Sequence, residues 1–230
     1  MPDIINQIID QIAEKKWAVM PDFLDKKLVK EIAQELTLLY ENGDFRRAGI
    51  GKGTDWQVQG EIRGDDVLWF DNAHLTTLQQ LYFDKINELK TALNRELYLG
   101  FNEIETAFEC HFAVYQPDKF YKKHLDQFKK NIFQTNNQTH TQNASRIISC
   151  VFYLNENWTK EDGGQLRIYH QENEQENERE NEAKNEAKNE LFTDVIPCAG
   201  TLVCLYSAEI WHEVLPTKRP RQSITGWLKK

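Results

Sequence analysis

Six histidines stand at positions 74, 111, 124, 140, 170 and 212, and one has a carboxylate two positions on in a strand-like context, in Tyr121-Lys-Lys-His124-Leu-Asp126. Side chains alternate along an extended segment, so there His124 and Asp126 point to the same face. One imidazole and one carboxylate are two parts of a 2-His-1-carboxylate site, the donor set that leaves adjacent positions open on Fe(II) for activating O2. A lone His-x-Asp is common by chance. The third ligand has to come from a distant segment, and His212 in Trp211-His-Glu-Val214 is the candidate. Further on, Arg221 heads a β-like run, and its guanidinium fork suits a carboxylate held by two parallel hydrogen bonds. Thr225 projects to the same face of that run. Taken singly, His212 reads as a surface turn residue and Arg221 as a solvated charge. Together with His124 and Asp126 they point to a metal site with an anion clamp.

The elements that must carry these residues change character part-way along the chain. Ile4, Ile5, Ile8, Ile9 and Ile12 recur at helical spacing, and Trp17–Met20 reads as a short strand closed by Pro21. Asp25 is placed to cap a second helix with Leu28, Ile32, Leu36 and Leu39 on one stripe. A third helix is expected from about Ala73 to Leu97, turning Leu78, Leu81, Tyr82, Ile86, Leu89, Leu93 and Leu97 inward. From Glu105 onward short β-branched and aromatic runs take over: Ala107–Gln116, Ile147–Leu154, Gln165–Tyr169, Asp194–Pro197, Thr201–Tyr206 and Ser223–Leu228. Helices followed by closely spaced strands predict an α+β fold, a jelly-roll (double-stranded β-helix) core with N-terminal helices packed against it. One globular unit is expected. Residues 1–100 form its helical part, with a glycine-rich loop over 43–62, and residues 101–230 form the β core. Within that core, 171–190 is a Glu/Asn-rich low-complexity insert between two strands, expected to be solvated.

The text around the ligands resembles the Fe(II)/2-oxoglutarate-dependent oxygenases and, more narrowly, the hypoxia-sensor-type prolyl 4-hydroxylases with their bacterial homologues. The resemblance covers roughly residues 45 to 228. It rests on Val114-Tyr115-Gln-Pro, Tyr121-x-x-His124-x-Asp126, Arg146-x-x-x-Cys150-Val-Phe-Tyr153-Leu-Asn155-x-x-Trp158, Gly163-Gly-x-Leu166-Arg-Ile168, His212-Glu-Val and Arg221-x-x-Ile-Thr225-x-Trp227. Upstream, Glu61-Ile-Arg63-Gly-Asp65-x-x-x-Trp69 is similar to the segment that follows the substrate-covering loop of those enzymes. The resemblance implies that His124, Asp126 and His212 bind Fe(II) and that Arg221 pairs with the distal carboxylate of 2-oxoglutarate, helped by Tyr153. It implies Tyr115 and Thr225 as polar contacts of the cosubstrate, and Leu166 and Val151 as walls for its methylenes. Arg63, Asp65, Tyr121, Arg146 and Trp227 fall at substrate-binding positions, and 43–62 at the covering loop. The activity so implied is a dioxygenase that hydroxylates a prolyl residue of a protein or peptide, with O2 consumed and succinate and CO2 released. A translation factor or ribosomal protein suits the bacterial homologues, and ascorbate is an optional further ligand. His111 departs from the family pattern, which is apolar there, and the insert at 171–190 has no counterpart in it.

Composition limits the partners. The formal charge is −8, of which the stretch 171–190 carries −5, so the remaining body is close to neutral. No broad positive surface for nucleic acid is expected, and no membrane association, since no apolar run reaches the length of a membrane span. Cys110, Cys150, Cys198 and Cys204 form no Cys-x-x-Cys pair and read as reduced, mostly buried thiols of a cytoplasmic protein. Two other readings stay open: a hydroxylase of a free amino acid or other small molecule, and a non-catalytic iron-binding jelly roll acting as a sensor or interaction module. Arg221 and Tyr153 weigh against the second, because a metal binder needs no carboxylate clamp.

Overall fold

In a computed structural model the chain is described over residues 3–49, 57–101, 108–127, 145–170 and 190–230. The centre of the expected covering loop and residues 171–189 of the insert lie outside the described residues.

Helix α1 (Ile4–Lys15) begins where the Asp3 side chain accepts from the Ile5 amide, and it buries Ile5, Ile8, Ile9 and Ile12. Strand β1 (Trp17–Met20) follows, then α2 (Lys26–Glu41), where Asp25 caps the amides of Lys27 and Leu28. Helix α3 (Thr77–Leu97) starts later than its apolar spacing suggests, because Thr76 and Gln79 form a reciprocal capping box. Its inward face also differs from expectation. Leu81 is 46% exposed while Phe83 is buried in its place, since the helix packs through Tyr82, Phe83, Ile86, Leu89 and Leu93.

The remaining strands are β2 (Arg46–Arg47), β3 (Asp65–Trp69), β4 (Glu109–Tyr115), β5 (Tyr121–His124), β6 (Arg146–Tyr153), β7 (Leu166–Tyr169), β8 (Phe192–Val195), β9 (Leu202–Tyr206), β10 (His212–Val214) and β11 (Arg221–Lys229). They form a seven-stranded sheet, ordered β1-β9-β6-β11-β4-β3-β2, and a four-stranded sheet, ordered β5-β10-β7-β8. From β4 onward the chain passes back and forth between the two sheets, and every ladder between these strands is antiparallel. That is the jelly-roll path expected from strand spacing. The strand expected at Asp194–Pro197 lies two residues earlier, at Phe192–Val195, paired with β7.

Alternation along the large sheet builds two cores. Ile148, Cys150 and Phe152 of β6 turn toward the helices, with Cys110, Phe112, Ile224 and Leu228. Val151 and Tyr153 turn the other way and meet Leu166, Ile168, Val195 and Val214 of the small sheet. The molecule is thus layered as helices, large sheet, small sheet. Cys110, Cys150 and Cys204 are buried free thiols in this frame and Cys198 is half-buried. No described helix is long and apolar enough to cross a membrane.

Candidate active site

The site lies between the sheets, and each sheet contributes a different chemistry. Antiparallel pairing of β5 with β10 sets His124 opposite His212, which brings their rings to 4.3 Å between centroids. Asp126, just past the end of β5, places its carboxylate oxygens 3.6 Å from His124 Nε2 and 3.7 Å from His212 Nε2. The three ligand atoms lie within 4.8 Å of one another. His212 is only 4% exposed, so it is no surface turn residue.

Main-chain carbonyls set the protonation of both rings. His124 Nδ1 lies 2.7 Å from the carbonyl of Lys122, and His212 Nδ1 3.0 Å from that of Ile210. A carbonyl only accepts, so each Nδ1 carries the proton and each Nε2 presents a lone pair toward Asp126. Burial, reinforced by His124, lowers the His212 imidazole to about 4, which keeps it neutral and able to ligate at neutral pH. Burial opposes the charge of Asp126, yet without a metal the hydrogen bond from His124 and the charge of either imidazole when protonated outweigh it and hold the carboxyl well below the usual range. Two imidazoles with Nε2 turned inward and one carboxylate, grouped on one side, suit a divalent iron with open positions.

The large sheet supplies the candidate anion clamp. Arg221, at the start of β11, is 1% exposed, and no acidic side chain pairs with it among the described residues. Its Nε donates to the Gly164 carbonyl at 2.8 Å, while Nη2 has no hydrogen-bond partner. Its guanidinium lies 4.9 Å from the ring of Tyr153 and 5.3 Å from that of Tyr115. The Tyr153 hydroxyl is also buried without a partner, and burial pushes it up to about 12, so it stays a donor. A buried cation and a buried hydroxyl left open beside each other are costly unless a ligand completes them. A dicarboxylate reaching from the metal ligands into this cavity answers both. Ser149 and Ser207 share a hydrogen bond of 2.8 Å on β6 and the turn after β9.

A small inner cavity of about 70 Å³ joins these parts, lined by His124, Asp126 and His212 together with Arg221, Thr225, Leu166 and Val151. It shares Arg63, Tyr121, His124, Asp126, Arg146 and Trp227 with an outer cleft of about 770 Å³. The metal ligands therefore stand at the floor of the cleft. Tyr121 stacks on His124 with centroids 3.6 Å apart, and Arg146 lies 3.5 Å from the Trp227 ring. Arg63 holds buried Asp65 by two hydrogen bonds of 2.6 and 2.8 Å. Of the residues singled out by sequence, all line these two spaces except Tyr153, which stands behind Arg221. Sequence reading passed over Arg46 and Lys122, which also line the cleft, and the carbonyls that fix the two imidazoles, which carry no side-chain signal.

His111 is explained by its neighbours. It is fully buried between Trp69 and Trp227, with centroids at 4.6 and 5.5 Å, and its Nε2 lies 3.5 Å from Arg63 Nη2. Burial, then Arg63, lowers the imidazole to about 3, so it is a neutral acceptor beside the Arg63–Asp65 pair. No apolar residue could accept from that arginine.

The profile of the 2OG-Fe(II) oxygenase superfamily matches residues 110–229, the run of strands from β4 to β11. The chain belongs to that superfamily. This oxygenase accordingly works with Fe(II), 2-oxoglutarate and O2, and its donor set and open clamp fit the first two. A prolyl-4-hydroxylase of Pseudomonas putida is 32% identical, with a TM-score of 0.76, over 99% of this chain and all of that one. A Trichoplax adhaerens prolyl hydroxylase, solved with a hypoxia-inducible factor peptide fragment, shares the fold at 23% identity and a TM-score of 0.72, over 98% of this chain and 88% of that one. The hypoxia-inducible factor prolyl hydroxylase of Caenorhabditis elegans is 27% identical over 97% of this chain, which spans 28% of that protein's length.

Proposed function

We propose that this oxygenase hydroxylates a prolyl residue of a protein or peptide. The observation that carries this reading is the likeness to the Pseudomonas putida prolyl-4-hydroxylase along the full length of both chains. The cleft supports it, offering about 770 Å³ open to one side of His124 and Asp126. His124, Asp126 and His212 would hold Fe(II), and Arg221 with Tyr153 would hold the distal carboxylate of 2-oxoglutarate. Tyr115 and Thr225 would orient that cosubstrate, with Leu166 and Val151 against its methylenes. When bound, Fe(II) with 2-oxoglutarate and O2 supplies the oxidising power to put a hydroxyl on an unactivated C–H, with succinate and CO2 as the co-products.

The chain's own part is to fix the tautomer of both imidazoles through their carbonyl partners, to neutralise the cosubstrate, and to exclude water around the floor of the cleft. Arg63, Asp65, Tyr121, Arg146 and Trp227 would position the peptide. A component of the translation apparatus is the substrate we infer, and the cytoplasm, where Fe(II) and buried thiols stay reduced, is the compartment.

Host proteins incubated with Fe(II), 2-oxoglutarate and either the native chain or Asp126→Ala test this reading by mass spectrometry. A prolyl residue should gain one oxygen with the native chain alone, and Asp126→Ala should form no succinate. Full turnover by that variant, or oxygen gained only on a free amino acid, would count against the proposal.

A further inference from the structure

The protein is acidic overall, at −8, yet its cleft is not. Among the described residues Arg46, Arg47, Arg63, Lys122, Lys123 and Arg146 line it, against the single acid Asp126. Three of these cations are already matched. Arg63 is paired with Asp65, Arg47 with Asp66, and Lys123 with Glu190. Arg46, Lys122 and Arg146 make no ion pair among the described residues, and they stand on three different strands around the opening. Arg46 is on β2, where it pairs with Val67 of the site-facing core. Lys122 is on β5, two residues before a metal ligand, and its side chain is exposed. Arg146 opens β6, spread on the ring of Trp227.

We propose that this cleft takes an extended peptide carrying carboxylates close to the modified residue, with Arg46, Lys122 and Arg146 as the groups that select them. The inference rests on the peptidyl hydroxylase reading and narrows its substrate. Unmatched cations converging from three sides raise the local concentration of an acidic segment and favour its docked form over a neutral or basic one. A nucleic acid is the less suitable anion. Its continuous phosphates would need an extended positive track, whereas the protein outside the cleft carries the opposite sign.

The test uses the full chain with Fe(II) and 2-oxoglutarate, and short peptides with one central proline flanked by Glu, Gln or Lys. The Glu-flanked peptide should show kcat/KM about tenfold above the Lys-flanked one at low salt, and high salt should shrink the contrast. The double variant Arg46→Glu/Lys122→Glu should reverse the order of preference, a result that mere damage to the fold does not produce. Binding of labelled peptides with Ala at the central position, followed by fluorescence anisotropy, separates this inference from the prolyl reading. Salt-dependent preference for the Glu-flanked Ala peptide, with no peptide hydroxylated, would leave the acidic-segment inference standing and remove the prolyl one. Hydroxylation at equal kcat/KM for all three flanks would remove the acidic-segment inference alone. So would a single-stranded oligonucleotide that displaces the Glu-flanked peptide at equal or lower concentration.

Discussion

Arg221 is a permanent cation, 1% exposed, with one terminal nitrogen bonded to nothing, and Tyr153 Oη beside it is equally open. A lysine in place of Arg221 keeps the charge but loses the planar fork and the bond to the Gly164 carbonyl. Arg221→Lys should therefore raise KM for 2-oxoglutarate by roughly ten- to a hundredfold. Tyr153→Phe removes one donor and should raise it by about tenfold. Succinate formation against 2-oxoglutarate concentration measures both, and unchanged KM in both variants would take the clamp away from these residues.

The ligands and the clamp sit on elements whose register does the positioning. β5 and β10 hold the two imidazoles opposite each other, and the turn before β7 holds Arg221. That turn depends on Gly163, which has φ +71 and where a Cβ would lie 2.4 Å from the Pro216 carbonyl oxygen. A side chain there must push main chain aside, and the displaced turn carries the Gly164 carbonyl with it. Gly163→Ala should cost about 2 kcal/mol, a Tm loss of roughly 4–8 °C for a chain of this size. It should also weaken 2-oxoglutarate binding, which a purely local strain would not do. Thermal unfolding and the KM for 2-oxoglutarate, measured on the same preparation, check the two halves.

Across the whole molecule, the stability curve should carry the mark of buried His111. Its folded imidazole titrates at about 3, against about 6.5 in an unfolded chain. Between those values the unfolded state binds the extra proton, so the stabilising contribution is complete above 6.5 and is lost as pH falls toward 3. The slope from one such group is up to about 1.4 kcal/mol per pH unit. In metal-free protein His212 adds to the same limb. His111→Asn should therefore flatten, without abolishing, the fall in denaturation midpoint between pH 6.5 and 4. An acid limb of unchanged slope would show that His111 is not the titrating group. Charge has the same whole-molecule character: the acidic total belongs mostly to the 171–190 stretch, and the cleft runs against it.

Much of this was legible before folding, because local chemistry leaves periodic traces. Helical spacing in Ile4–Ile12, the Asp25 cap, the β-rich second half and the His-x-Asp pair are short-range signals, and the structure has them where they were expected. The short strands β2, β3 and β10 leave no clear pattern, since two to five residues that pair with distant strands owe their extended form to those partners. Leu81 shows the same limit, since its inward spacing was outweighed by the packing of Phe83. The sequence by itself determined the donor types, the jelly-roll class and an arginine able to hold a carboxylate. Only the tertiary structure decided that the ligands and the clamp face one cavity from opposite sheets, which carbonyls fix the imidazole tautomers, and which cleft cations remain unmatched. Those depend on which residues become neighbours across the sheets, and pairing between segments far apart in the chain leaves no mark on either segment alone.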